Sequence, residues 1–339
     1  LGSSVNAFTT YDYTSYEVIA SNHFKENLEY LLDYVQNPVF QAGSVSKEKG
    51  IIKEEIKMYD NTPNAVLNFG LEYNLNKLDR HKFTISGTVE DIKEVSAETL
   101  EKCYDTFYIP SNMFMVLTGK FSPLEALGII KENQSTKEFP AKTKITKRVP
   151  KEPIEVDVSY EEREMDVSVP KLKIGYKIDR ARFKGFGDTL LKVYLDALLQ
   201  AKFGPTSDLL EKLLDENLIL WDLYTAREVR NDYVLITFEV ETEYKEEVID
   251  LIRQELKSIK LTPGEMEWVK RNNISSFILH FNDIIAVAED LEDDILSNGK
   301  ITDTIMDIYK DLTVTNANKI ASCIDIKNES IFYINKMTV

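Results

Sequence analysis

The sequence predicts an α+β protein of two duplicated lobes, each an antiparallel sheet packed by helices on one side. Three observations lead there. A strand pair followed by two helices occurs twice, about 220 residues apart. Each half closes on a similar strand-like stretch, MFMVLTG at 113–119 and SIFYINK at 330–336. A polar, basic, proline-bearing segment lies between them. The length of 339 residues suits two domains of ordinary size. The expected lobes are 1–133, lacking its N-terminal part, and 166–339, joined by a linker at 134–165.

The elements follow in order. Residues 4–20 are rich in β-branched and aromatic types and read as two strands around a turn near Tyr11 and Asp12. Asn22 is placed to cap a helix in which Phe24, Leu28, Leu31, Leu32 and Val35 share a face, and Pro38 ends it. Further helices are expected over 46–59 and 64–78, the latter after Pro63, and another is capped by Ser96 with Leu100 and Tyr104 inward. Residues 113–118 read as a buried strand. The stretch NQSTKEFPAKTKITKRVPKEP then reads as linker. Strand character resumes at Val167. An amphipathic helix over 185–202 turns Leu190, Leu191, Tyr194, Leu195 and Leu198 inward, and a shorter helix follows.

The second hairpin, LYTAREVRNDYVLITFEV, leads to the helix EYKEEVIDLIRQELKSIKL. The next helix is announced by Thr262 as cap, Pro263 at its first position and Glu265 completing a capping box. Phe24, Leu28 and Leu31 map onto Tyr244, Val248 and Leu251 at an offset of 220. About 55 residues between the linker and the second hairpin have no counterpart in the first half, so the first lobe is expected to have lost a similar length before Leu1.

Composition narrows the function. An apolar fraction of 43% and a charged fraction of 29% fit a globular protein. A net charge of −16 repels phosphate backbones, so nucleic acid is an unexpected partner. No apolar run of about 18 residues is present, so no membrane span is expected. Cys103 and Cys323 lie in no metal-like spacing and read as two buried free thiols, which points to a cytoplasmic location.

The chemistry-bearing helix is SKEKGIIKEEIKMYDN. Glu48 and Glu55 are seven residues apart, close to two turns, and share a face. Such a pair either serves a metal, one carboxylate as ligand and the other orienting a neighbour, or forms a solvated face with Lys49 and Lys53. At an offset of 221 the second half places Val269 and Ser276 there, so the acidic pair belongs to one half. His23, His81 and His280 carry no H-x-x-H, H-E-x-x-H or H-x-x-E-H neighbourhood and read as surface or core-edge residues.

GSSVNAFTTYDYTSYEV followed by VSKEKGIIKEEIKMYDN, with SGTVEDIKEVSAETLEKCYDTFYIPSNMFMVLTGK at 86–120, resembles the pitrilysin, insulinase and mitochondrial-processing-peptidase family of zinc peptidases, in particular its bacterial processing-peptidase-like members. The resemblance implies the metallopeptidase-like fold of that family and a zinc-dependent metalloendopeptidase that processes peptides inside a chamber. In the family, two histidines of H-x-x-E-H and a later glutamate hold Zn2+, and zinc-bound water attacks the scissile carbonyl. By motif, Glu55 matches the metal ligand and Glu48 the glutamate that supports it from behind. Asn6, Ala7, Phe8 and Thr9 match the strand whose edge receives extended peptide.

This sequence departs from the family twice. H-x-x-E-H is absent and is expected about twenty residues before Leu1, so the chain as given is expected to be inactive, with no catalytic residue of its own. The text R-x-x-x-G-L-x-Y of many relatives is replaced by LLDENLILW at 213–221, which leaves the source of oxyanion stabilisation open. The resemblance also implies a homodimer, or a heterodimer with a paralogous peptidase-like subunit. The alternative reading is a non-catalytic partner or scaffold subunit of a paired complex.

Overall fold

The computed structural model describes residues 2–139, 145–302 and 304–337. In chain order the elements are β1 (Ser4–Thr9), β2 (Thr14–Ile19), α1 (Phe24–Gln36), α2 (Ala42–Asp60), α3 (Pro63–Leu75), α4 (Val89–Glu94), α5 (Ala97–Phe107), α6 (Pro123–Ser135), β3 (Tyr160–Met165), β4 (Lys171–Asp179), α7 (Asp188–Phe203), α8 (Asp208–Asp215), β5 (Tyr224–Val229), β6 (Tyr233–Glu241), α9 (Lys245–Ser258), α10 (Pro263–His280), α11 (Ile284–Asn298), α12 (Ile305–Asp311), α13 (Val314–Ala321) and β7 (Glu329–Lys336). Two compact units result. The first comprises Leu1–Met58, Thr84–Arg148 and Ile284–Asp293, and the second Tyr59–Phe83, Val149–Asp283 and Asp294–Val339. Of the expected linker, 140–144 lies outside the described residues, while β3 falls at its end.

The first unit has a modest core. Leu28 and Leu32 of α1 meet Ile129 of α6, with Phe24 and Leu117 alongside. The helix is capped at His23, in the left-handed conformation with φ 53°, and not at the expected Asn22. The Asn27 side chain explains the shift, since its amide donates to the backbone oxygens of Asn22 and His23, both at 3.0 Å. Residues 113–118 form no strand, and Met113, Phe114 and Met115 are exposed. A strand requires a hydrogen-bonded neighbour, and among the described residues β1 and β2 pair only with each other.

The second unit is built on five strands in the order β3-β7-β4-β6-β5. β4 is antiparallel to both neighbours and β5 to β6, but β3 runs parallel to β7. The expected wholly antiparallel sheet is therefore mixed. β3 and β7 are separated by most of the unit's chain, and a parallel pair is available only across such a long connection.

Side chains alternate between two cores. Val234, Ile236, Phe238 and Val240 of β6 enter the larger one, with Leu172, Ile174, Tyr176 and Ile178 of β4 and residues of α7, α9, α10 and α13. Tyr233 and Leu235 of β6, with Phe332 and Ile334 of β7, face the other way onto Val66, Leu67, Leu71 and Leu75 of α3. Helices thus cover both faces of this sheet, not one. Gly70 lets α3 come close: a Cβ there would lie 2.1 Å from the Phe332 ring. Opposite, a Cβ on Gly175 would meet Leu75 at 3.0 Å.

The spacing of the two hairpin units recurs closely. Shifting Ser4–Thr9 by 220 gives the bounds of β5, and shifting Asp60, the end of α2, gives the end of α10. At this offset Trp268 and Ser275 stand opposite Glu48 and Glu55.

Candidate functional site

Glu48 and Glu55 both lie on α2 and both are exposed. Their seven-residue separation leaves them about 20° apart around the helix axis. Ile56 is the buried residue of this helix, and Ile51 is exposed. Lysines satisfy other groups. Lys57 sits 2.8 Å from Glu54, whose carboxyl this hydrogen bond holds below its ordinary range, and Lys49 donates to the Lys93 carbonyl oxygen at 2.8 Å. Among the described residues Glu48 and Glu55 form no hydrogen bond or ion pair, so neither Lys49 nor Lys53 is their partner.

These residues do not make a zinc centre by themselves. Catalytic zinc takes three protein ligands, and among the described residues no group of three histidines, cysteines, aspartates or glutamates is close enough to hold a metal. His23 lies at the start of α1, His81 bonds to Asp79, and His280 ends α10. Cys103 is exposed and Cys323 half-buried, both free, so neither is the deeply buried thiol expected. The amphipathic face of α5 leaves Cys103 outside. Among the described residues no helix is long and apolar enough to cross a membrane.

Asn6, Ala7, Phe8 and Thr9 all lie on β1 and oppose Glu17, Tyr16, Ser15 and Thr14 of β2. Asn6, Ala7 and Thr9 are exposed, while Phe8 packs edge-on against Tyr13 at 5.9 Å. The amide of Asn6 donates to Glu17 at 3.4 Å, and the hydroxyls of Thr9 and Thr14 are 3.1 Å apart. β2 is the anchored strand. Ser15 donates to Glu292 of α11 at 3.0 Å, and the Tyr16 and Tyr108 hydroxyls are 2.8 Å apart. Burial, with the bond to Tyr108, pushes the Tyr16 hydroxyl well above the usual tyrosine range. In this two-stranded sheet β1 and β2 pair only with each other among the described residues, so β1 keeps an unpaired backbone edge. Such an edge offers a row of donors and acceptors to an extended segment.

The structure therefore brings the two glutamates to one helix face and Asn6, Ala7, Phe8 and Thr9 to one strand, without recording a contact between the two groups. The tyrosine anchor at Tyr16 and Tyr108 escaped the sequence, because a contact across 92 residues leaves no periodic signal.

The mixed α+β fold is that of M16 peptidase structures, and the chain belongs to the M16 family, of the insulinase and pitrilysin kind. The description "Peptidase M16 inactive domain" matches residues 94–273, more than half of the chain, and "Insulinase (Peptidase family M16)" matches 1–88. The chain is 38% identical over 220 residues to the uncharacterized zinc protease YmfH of Bacillus subtilis, a match covering 64% of this chain and 51% of YmfH. It thus spans about half the length of that relative. The crystal structure of a putative M16-like peptidase from Alicyclobacillus acidocaldarius superposes with a TM-score of 0.91 at 25% identity, over 99% of this chain and 81% of that one. A probable mitochondrial-processing peptidase subunit beta of Arabidopsis thaliana is 25% identical over 134 residues, 39% of this chain and 25% of that subunit.

Proposed function

We propose that this chain is part of a zinc-dependent metalloendopeptidase acting on extended peptides, arisen by duplication of one hairpin-and-helices unit. In this reading Glu55 is one metal ligand, Glu48 supports it, and residues outside this sequence supply the other ligands. The carrying observation is the pair of exposed carboxylates on one face of α2, free of lysine partners while Glu54 beside them is paired. Asn6, Ala7, Phe8 and Thr9 on the exposed strand β1 receive the peptide backbone, so affinity depends little on side-chain sequence. By likeness to paired family members, the protein works as a homodimer or with a paralogous subunit, in the cytoplasm.

Metal analysis of the natural-length protein tests this. About one zinc per chain is expected, falling at least tenfold in Glu55→Gln together with hydrolysis of a quenched fluorescent peptide. Metal content unchanged by Glu55→Gln removes Glu55 from the site. A metal-free natural-length protein supports the second reading, a non-catalytic subunit of a paired complex, which the match of 94–273 to an inactive domain favours.

A further inference from the structure

We infer that the second unit binds a small amphipathic ammonium compound in a cavity of about 440 Å³ between α7, α8, β5 and α10. The repeat marks the place. β5 and α10 recur at the spacing of β1 and α2, so the cavity lies between the counterparts of the strand bearing Asn6 to Thr9 and of the helix bearing Glu48 and Glu55. The third wall is α7, from the stretch that has no counterpart in the first half. It supplies Asp196 and Gln200, four residues apart and on one helix face. Two aspartates line the cavity, with no histidine or cysteine, which is short of the three protein ligands a catalytic zinc takes. An organic guest fits the lining better.

The floor is apolar: Leu199, Leu210 and Leu223 line the cavity and are buried. The polar groups around it are unsatisfied. The amides of Gln200 and Asn273 and the hydroxyl of Thr225 make no side-chain hydrogen bond among the described residues. An apolar floor with a few convergent polar groups is the usual make-up of a small-molecule site. Charge then selects the guest. Asp196 and Asp222 are the charged residues of the lining. Asp196 already meets Arg227 at 2.6 Å. Asp222 is exposed and has no ion pair among the described residues. One negative charge is therefore left unmet. A single ammonium group answers it, while a short hydrocarbon body covers the leucines. A neutral guest leaves Asp222 as it was, and an anion is repelled by it and by the net charge of −16.

This cavity lies wholly within the second unit and uses neither Glu55 nor β1, so it stands whether or not the protein holds zinc. The test is titration calorimetry of the 339-residue chain with three probes of one length: hexylammonium, hexanol and hexanoate. Hexylammonium is expected to bind about fivefold more tightly than hexanol, and hexanoate not at all. Asp222→Asn is expected to remove the preference for the amine, and Asn273→Leu to weaken it about threefold, with the thermal midpoint of each variant unchanged. A diazirine derivative of hexylamine is expected to label the lining between 196 and 226 or at Asn273. An acetylated decapeptide alternating valine with lysine is expected to leave that labelling intact. Equal affinity for amine and alcohol, no binding of any probe, indifference to Asp222→Asn, labelling elsewhere, or displacement by the decapeptide, which would assign the cavity to a peptide side chain, would each overturn the inference.

Discussion

Glu152 and Lys177 are both fully buried, and their side chains meet at 2.6 Å. Burial by itself raises a carboxyl's pKa. Here the Lys177 ammonium and the backbone N–H groups of Lys77, Leu78 and Asp79, at 2.7–2.9 Å, outweigh it and hold Glu152 below the usual range. A depressed carboxylate stabilises the fold above its unfolded pKa, and that stability is lost as pH falls through the folded value. Glu152→Gln strands the buried ammonium and is expected to cost about 3–5 kcal/mol at neutral pH by urea denaturation. The difference from wild type should narrow as the pH drops below about 4. Asp79 behaves alike. Burial opposes its ionisation, yet hydrogen bonds from the ring and backbone of His81 bring it to about 2. His81→Ala is therefore expected to flatten the acid-induced loss of stability between about pH 4 and pH 2. The Glu48 and Glu55 pair was legible because heptad spacing alone aligns two residues on a helix. Lys177 was not: in KLKIGYKID alternation puts Lys171, Lys173 and Lys177 on what reads as a solvent face, and only a distant helix makes it an interior.

That helix is α3, and Gly70 decides how it sits. Helix propensity taken alone favours Gly70→Ala by about 1 kcal/mol. The Phe332 ring lies where the methyl would go, so the substitution is expected to destabilise by about 1–3 kcal/mol instead. Urea midpoints in wild-type and Phe332→Leu backgrounds check it, since the smaller side chain should recover part of the loss. Elements whose signals are local were readable: the capping box of Thr262 and Glu265 is formed, and Pro263 opens α10. The stretch 113–118 misled because apolar β-branched text cannot tell a strand from an unpaired segment. The parallel pairing of β3 with β7 depends on chain ends brought together by the whole unit, and no window of sequence contains it.

The two units differ in how much apolar surface they enclose. The first buries a small cluster around Leu28, Leu32 and Ile129, whereas the second closes two cores across one sheet. Local opening follows enclosed contacts. Hydrogen exchange is expected to be at least tenfold faster for amides of α1 and α6 than for those of β4 and β6, and equal protection would contradict this. The 220-residue spacing of the two hairpins was legible from Phe24, Leu28 and Leu31 recurring as Tyr244, Val248 and Leu251. Which core each stretch joins was less so: α3 precedes the expected boundary by some sixty residues yet covers the sheet beyond it.

This placement of α3 makes the gene hard to divide. A product of residues 149–339 would lay Tyr233, Leu235, Phe332 and Ile334 bare on one face, a greasy sheet prone to stick to itself. Supplying residues 59–83 as a separate peptide should restore a soluble particle, so the helix would act as a detachable chaperone for the half of the chain to which, by sequence order, it does not belong.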